Sequence, residues 1–258
     1  MATRDRAPVG APCWVDLWTS DVGGSCAFYA ELFGWEAQEP SPEFGGYFMF
    51  HRDGVPVAGG MGDMGDVAAR NVWKIFLASD DIDKSVAAAE AEGAQVVVPV
   101  VPVADLGTQA VIVDPTGAAV GIWQAGTFPG FTVLNEHGAP AWFELHTDHY
   151  DSAVSFYRSV FPWDTTTMAD TDVRYTTMHT SGSQGEQAGI MDASRSLPDG
   201  VSSYWSVYFE VDDTDAAVSL VTALGGGVVS EPTDSPYGRL ATVTEPAGAM
   251  FRLIRSVR

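Results

Sequence analysis

The sequence predicts an α+β protein in which one βαβββ module occurs four times. Residues 14–18 alternate in type with period two, as a half-buried strand does, and an amphipathic helix follows them. Short strands separated by glycine and proline come next, and the same order begins again near residue 72. The whole pattern returns after 128 residues, where Trp142 matches Trp14. We therefore predict a tandem duplication of a two-module unit.

Cap and turn residues delimit the elements. Asp21 and Asp81 precede helical apolar stripes as N-caps, and Gly34 and Gly93 end those helices. The first half is predicted as strands 14–18, 35–38, 47–51 and 55–61 with a helix ending at 33, then strands 72–78, 95–98, 109–113 and 118–123 with helix 81–92. The second half is predicted as strands 142–146, 163–167, 175–179 and 187–191 with helix 152–161, then strands 204–211, 227–230, 239–244 and 249–254 with helix 213–224.

The four modules group into two domains of ordinary size. The first domain spans residues 12–124 with modules at 12–65 and 71–124, and the second contains modules at 140–195 and 203–256. A glycine-rich segment at residues 125–139 is the predicted linker. Each domain is expected to be a pair of curved mixed sheets with helices outside and a concave inner face. The sequence leaves open which modules pair to form each face.

The charge balance excludes one class of partner. The chain has 13 Lys and Arg against 34 Asp and Glu, a net charge of −21, so it lacks the clustered cations that nucleic-acid binding needs. It has no apolar run of the roughly 18 residues that cross a membrane, and no apolar signal segment follows Arg6. Cys13 and Cys26 do not make a disulfide framework. We expect a cytoplasmic protein that contacts neither nucleic acid nor membrane.

Three motifs resemble one known superfamily. They are Phe28-Tyr29 in the first helix, Phe33-Gly34-Trp35 after it, and the turn Asp-Pro-Thr-Gly at residues 114–117. With the alternating strands they resemble the vicinal oxygen chelate superfamily, which includes glyoxalases, bleomycin-resistance proteins and extradiol dioxygenases. The resemblance covers residues 12–256. Within the superfamily, the chain resembles tandem members with two glyoxalase-like domains. It does not imply one function, because the superfamily has metal-dependent enzymes and non-catalytic binding proteins on one scaffold.

The resemblance also implies where a family metal would sit. The positions lie early in the first strand and near the middle of the last strand of each module. They fall at Trp14, Lys74, Gly60 and Gly121 in the first domain, and at Trp142, Ser206, Ile190 and Arg252 in the second. Such side chains are poor metal ligands at neutral pH, and the two cations would repel a metal. We therefore predict no metal and no other cofactor in either domain.

Alternation along the strands predicts the concave face of the first domain. The inward residues are Trp14, Asp16, Trp18, Lys74, Phe76 and Trp123. They would form an aromatic cup with one carboxylate and one amine, suited to stacking on a flat and partly polar molecule. The alternative is that these tryptophans only pack between modules.

The same alternation predicts a more polar face in the second domain. Its residues are Trp142, Glu144, His146, Ser206, Tyr208, Glu210 and Arg252. Glu144 and His146 are two residues apart on one strand, so both point inward, and a carboxylate beside an imidazole can form a general base. The alternative is a satisfied polar network that supports the strand.

Two functional classes fit this sequence, and a third is weaker. The first is a metal-independent protein that binds an aromatic or hydrophobic small molecule, such as a metabolite or antibiotic, in tryptophan-lined cups. The second is a metal-independent enzyme of specialised metabolism, a lyase, isomerase, cyclase or hydroxylase-associated factor, with Glu144 and His146 or Asp16 and Lys74 as catalytic acid and base. The third is a metal-dependent glyoxalase-like enzyme. The expected partner is an aromatic small molecule, and the chain is expected to be a monomer or a homodimer.

Overall fold

The predicted α+β fold is confirmed. A computed structural model of the chain describes residues 2–62, 71–169, 174–180, 185–197 and 200–257. Within these ranges there are two eight-stranded mixed sheets and four α-helices. The predicted end of the first module, residues 63–65, and residues 170–173 and 181–184 of the third module lie outside the described residues.

The elements follow the predicted order with small shifts of their ends. In the first half they are β1 (Ala2–Thr3), β2 (Pro12–Thr19), α1 (Val22–Phe33), β3 (Glu36–Ala37), β4 (Phe48–Arg52), β5 (Val55–Gly62), β6 (Val72–Ser79), α2 (Ile82–Ala91), β7 (Gln95–Val103), β8 (Gly107–Val113) and β9 (Ala119–Ala125). In the second half they are β10 (Val133–Leu134), β11 (Pro140–Thr147), α3 (Tyr150–Val160), β12 (Trp163–Ala169), β13 (Arg174–Thr180), β14 (Ala188–Asp192), β15 (Tyr204–Glu210), α4 (Thr214–Ala223), β16 (Gly227–Ser235), β17 (Gly238–Thr244) and β18 (Met250–Ser256).

Each sheet is built from two consecutive modules. The strand order is β3-β4-β5-β2-β6-β9-β8-β7 in the first sheet and β12-β13-β14-β11-β15-β18-β17-β16 in the second. The first strands of the two modules pair antiparallel at the centre, β2 with β6 and β11 with β15. This pairing joins the two sheets expected for each domain into one continuous sheet. Each concave face therefore comes from one half of the chain, although the domain boundaries stay a prediction.

Two edge strands are longer than predicted. Strand β7 runs to Val103 through Pro99 and Pro102, and β16 runs to Ser235 through Pro232. Both strands lie at the edge of their sheet. A proline is tolerated there because the N–H that it lacks has no neighbouring strand to bond. The prolines ended the predicted strands too early.

The segment predicted as a linker is ordered. Strand β10 pairs antiparallel with β1. Phe131 is buried, and its ring stacks on that of Phe143 with 5.6 Å between centroids. Residues 125–139 thus pack along both halves of the chain.

The convex faces of the two sheets pack against each other. Trp73 of β6 and Phe209 of β15 have ring centroids 5.3 Å apart, and Tyr29 of α1 lies 5.7 Å from Phe251 of β18. Alternate residues of a strand point to opposite faces. The residues directly before and after Trp73 and Phe209 in their strands therefore lie on the concave faces of the two sheets. These two concave faces open away from each other.

Candidate functional site

The concave face of the first sheet contains a cavity of about 740 Å³, here called the first cup. All six residues predicted for this face line it: Trp14, Asp16, Trp18, Lys74, Phe76 and Trp123. Further aromatic residues complete the wall, namely Phe44, Tyr47 and Phe128. This volume is ordinary for a small-molecule site, and an apolar wall with few polar groups is typical of such sites.

A hydrogen-bonded triangle lies at the base of the first cup. Nε1 of Trp14 lies 2.9 Å from Oδ1 of Asp16 and 2.8 Å from the hydroxyl of Tyr47. The Tyr47 hydroxyl donates to the same Asp16 oxygen at 2.8 Å. The triangle holds the Trp14 indole and the Asp16 carboxyl in one orientation. The second carboxyl oxygen makes none of these three bonds.

Burial controls the charges in the first cup. It raises the pKa of Asp16 from 3.8 to about 6, although Tyr47, Lys74 and Trp14 all favour the carboxylate. Burial also lowers the pKa of Lys74, and the charge of Asp16 opposes that effect. The Lys74 ammonium lies 4.2 Å from the ring centroid of Trp18, in a cation–π contact. The cup therefore combines a carboxyl that titrates near neutral pH with a partly desolvated amine.

The concave face of the second sheet, here called the second cup, is centred on Glu144. Its Oε1 accepts from Tyr208 at 2.8 Å, and its Oε2 accepts from Tyr175 at 2.8 Å. Nε2 of His146 lies 2.8 Å from Oε1, an ion-pair distance without hydrogen-bond alignment. Trp142 donates to the Tyr175 hydroxyl at 2.8 Å. Glu144 and His146 are thus brought together as predicted.

Glu144 stays ionised far below neutral pH, whereas Asp16 titrates near it. Burial raises the pKa of Glu144, but the close contact and charge of His146, with Arg252 and Tyr175, outweigh burial and bring the pKa from 4.5 to about 2. A carboxylate that accepts this many bonds is a weak base. This favours the supporting network over general-base catalysis by Glu144 itself.

Glu210 lies at the end of β15, beyond the centre of the second cup. Its two carboxylate oxygens accept from the backbone N–H and the hydroxyl of Ser256, at 3.0 and 2.6 Å. Its side chain is buried. The bonds to Ser256 give Glu210 a role in holding β18 in place.

Sequence reasoning did not select Tyr47, Tyr175 and Phe128. Tyr47 and Tyr175 are 128 residues apart, the same offset that relates Trp14 to Trp142, so the repeat contained the signal. Phe128 lies in the predicted linker, where no periodicity marks it. Its ring contacts Trp14 edge-on with 4.8 Å between centroids.

The strand register corrects two of the positions implied for a family metal. Asp16 pairs with Gly59, and Glu144 pairs with Gly189, so these glycines lie on the concave faces instead of Gly60 and Ile190. A Cβ atom on Gly59 would overlap the Tyr47 hydroxyl, and one on Gly189 would overlap the Tyr175 hydroxyl. These overlaps confirm that both glycines face the concave side of their sheet. Neither glycine supplies a metal ligand. The register error arose because a glycine has no side chain and so adds nothing to the alternation of residue types along a strand.

The residues at the family metal positions do not fit a metal ion. They present indole, amine, hydroxyl and guanidinium groups, or no side chain at all. Across the described ranges, no three His, Cys, Asp or Glu side chains come together as a metal site would require.

Comparison with known proteins shows the relationship of both halves. Residues 139–253 match the model of the Glyoxalase/Bleomycin resistance protein/Dioxygenase superfamily, and residues 14–122 match that of a glyoxalase-like domain. The chain belongs to this superfamily. The resemblance to vicinal oxygen chelate proteins is thereby confirmed, as two glyoxalase-like units in tandem.

Two relatives align with this chain over nearly their whole length. The chain is 38% identical over 261 residues to CFP32 of Mycobacterium bovis, a protein named as a glyoxylase. The aligned region covers 99% of this chain and 98% of the relative. It is 35% identical over 268 residues to the anthracycline biosynthesis protein DnrV of Streptomyces peucetius, covering 96% of this chain and 94% of the relative.

Solved structures show the same fold at low identity. A Mn(II)-bound glyoxalase from Novosphingobium aromaticivorans superposes with a TM-score of 0.68 at 17% identity, covering 97% of this chain and 83% of the other. The 2,3-dioxygenase LapB from Pseudomonas sp. KL28 superposes with a TM-score of 0.65 at 14% identity, covering 98% of this chain and 94% of the other.

In the described part of the chain, no helix has the length and apolar character needed to cross a membrane.

Proposed function

We propose that the chain binds a planar aromatic or hydrophobic small molecule in the first cup, without a metal ion. The observation that carries the proposal is an aromatic cavity of about 740 Å³ whose lining includes the Asp16 carboxyl and the Lys74 amine. Indole and phenyl rings stack on flat ligands, and the two polar groups orient the bound molecule.

The relatives suggest the chemical class of ligand. DnrV is named for anthracycline biosynthesis, and anthracyclines contain a planar fused-ring system with polar edges. Such a ring system matches an aromatic wall that has a few polar groups. We therefore extend the proposal to polycyclic aromatic molecules of specialised metabolism.

A titration with daunorubicin, an anthracycline, tests the proposal. We expect quenching of tryptophan fluorescence with saturation, because Trp14, Trp18 and Trp123 line the first cup. Phe76→Ala and Trp18→Ala should each weaken binding about tenfold, since each removes a stacking surface. Val97→Ala is the matched control, because Val97 is an exposed apolar residue on edge strand β7. Equal affinity in wild type and both cup variants would contradict the proposal.

A second candidate function is acid–base catalysis in the same cup. The observation that favours it is the pKa of about 6 for Asp16, which lets this carboxyl donate or accept a proton near neutral pH. Incubation with daunorubicin, followed by mass spectrometry and absorbance, separates the two functions. Turnover that is lost in Asp16→Asn supports catalysis, whereas saturable binding with an unchanged ligand supports the binding function alone.

A further inference from the structure

Apart from Nε2 of His146, which contacts the Glu144 carboxylate at 2.8 Å, two buried polar atoms of the second cup lack a hydrogen-bond partner. Within the described part of the chain, Oγ of Ser206 and Nε of Arg252 have none. Ser206 is 2% exposed. A buried donor left without a partner destabilises the fold, because it has lost its hydrogen bonds to water. Native proteins therefore rarely keep such atoms unless a ligand or an ordered water molecule bonds to them.

Both atoms belong to the concave face. Ser206 lies opposite Glu144 across β11 and β15, and Arg252 lies beside Tyr208 across β15 and β18. The guanidinium carbon of Arg252 is 5.2 Å from the ring centroid of Tyr208. The two free donors thus flank the Glu144–Tyr208 hydrogen bond from neighbouring strands.

The Glu144 carboxylate does not satisfy these donors. Its Oε1 accepts from Tyr208 and contacts His146, and its Oε2 accepts from Tyr175. An acceptor for the Ser206 and Arg252 donors would therefore have to come from a bound molecule. A guanidinium N–H on the same face as a hydroxyl favours an anionic oxygen, because Arg forms its strongest hydrogen bonds with carboxylates and phosphates.

We propose that the second cup is a separate binding site for a small carboxylate, which accepts hydrogen bonds from Nε of Arg252 and Oγ of Ser206. The first cup cannot bind such a molecule in the same way, because Gly121 stands where the second cup has Arg252. Arg252, Trp142 and Tyr204 are only partly buried, so this face is open to solvent. The chain then holds two ligands of different chemistry, one in each half.

Nuclear magnetic resonance of the arginine Nε–H groups tests this site directly. Protein labelled with ¹⁵N is titrated with benzoate and, in parallel, with benzamide, its neutral analogue. We expect benzoate to shift the Arg252 Nε–H resonance with saturation, and benzamide to bind about tenfold more weakly, since it lacks the charge. The resonance is assigned by its loss in Arg252→Met.

The variants locate the interaction. Arg252→Met should weaken benzoate binding about tenfold or more, and Ser206→Ala about threefold to tenfold. Arg255→Met is the matched control, because Arg255 lies on the same strand with an exposed side chain. If Arg252→Met does not fold, then Ser206→Ala decides the result.

Three outcomes would overturn the proposal. One is a wild-type Arg252 resonance that does not move at about 10 mM benzoate, which would leave the free donors to ordered water. Another is equal shifts with benzoate and benzamide. The third is an unchanged benzoate affinity in Ser206→Ala. None of these outcomes bears on daunorubicin binding in the first cup, so the two proposals fail independently.

Discussion

Asp16 and Glu144 occupy equivalent positions in the two repeats but have opposite electrostatic surroundings. Each side chain is buried and bonded to a tyrosine hydroxyl. Burial dominates at Asp16 and raises its pKa to about 6, whereas His146 and Arg252 overcome burial at Glu144 and lower its pKa to about 2. Two carboxyls of one ancestral position thus differ in charge near pH 5.

The substitution Asp16→Asn should stabilise the fold at high pH. The folded-state pKa is raised from 3.8 to about 6, so the stabilising effect of the protonated form is complete below 3.8 and is lost as the pH rises through 6. An asparagine keeps the neutral form at all pH values. We expect the difference in free energy of unfolding between Asp16→Asn and wild type to rise by roughly 2–3 kcal/mol between about pH 4 and about pH 8. Urea denaturation at both pH values measures this.

Glu144→Gln should show the opposite sign when urea denaturation is extended from neutral pH down to about pH 2. The folded-state pKa is depressed from 4.5 to about 2, so Glu144 stabilises the fold above 4.5 and loses that effect as the pH falls through 2. We expect a loss of roughly 3 kcal/mol at neutral pH that shrinks in acid. A pH-independent difference in either variant would contradict these assignments.

At the scale of the strand, two glycines make room for the tyrosine hydroxyls. Gly59 of β5 and Gly189 of β14 face the cups, and a Cβ on either would overlap Tyr47 or Tyr175. The strand therefore accepts a residue with poor strand propensity because another side chain fills its place. The same pairing in both repeats indicates one shared design for the two cups.

The substitution Gly59→Ala should displace Tyr47 from the triangle with Trp14 and Asp16. The new methyl group overlaps the Tyr47 hydroxyl and the Asp16 carboxyl, so we expect a loss of roughly 1–3 kcal/mol in stability. Urea denaturation measures the stability, and near-ultraviolet circular dichroism reports on the Trp14 surroundings. Gly23→Ala on α1 is the control, because its Cβ meets only Asp21, 3.9 Å away. A Gly59→Ala protein with wild-type stability and spectrum would disprove this role.

At the scale of the molecule, the two halves are joined by buried contacts that recur with the repeat. Nε1 of Trp35 donates to the carbonyl of Gly138 at 2.7 Å, and Nε1 of Trp163 donates to the carbonyl of Gly10 at 2.8 Å. The Tyr157 hydroxyl of α3 also donates to Asp114 of the first half at 2.8 Å. We infer that the halves unfold together.

The substitution Trp35→Phe tests this coupling. It removes the donor to Gly138 while an aromatic ring remains, so we expect a loss of about 1–3 kcal/mol. Hydrogen exchange followed by mass spectrometry should show equal loss of protection in β2 and β11, although Trp35 belongs to the first half. Val229→Ala, at a side chain 60% exposed on β16, should leave both strands unchanged. Loss of protection in β2 alone would mean that the halves unfold separately.

The sequence by itself determined the modules, their duplication and the inward residues of both cups. Strand alternation has a period of two, so it assigns Asp16 and Glu144 to a face without any knowledge of neighbours. Cap residues act locally as well, and Asp21, Asp81 and Asp213 each cap the helix that follows, accepting from its backbone N–H groups. Local chemistry of this kind can be read from one sequence.

Only the tertiary structure decided the register, the partners and the charges. Gly59 and Gly189 gave no alternation to follow, and the extension of β7 through Pro99 depended on its place at a sheet edge. The different pKa values of Asp16 and Glu144 arise because burial dominates in one cup, whereas His146 and Arg252 outweigh burial in the other. Electrostatic and packing energies depend on distances between residues far apart in the chain, and folding alone sets those distances.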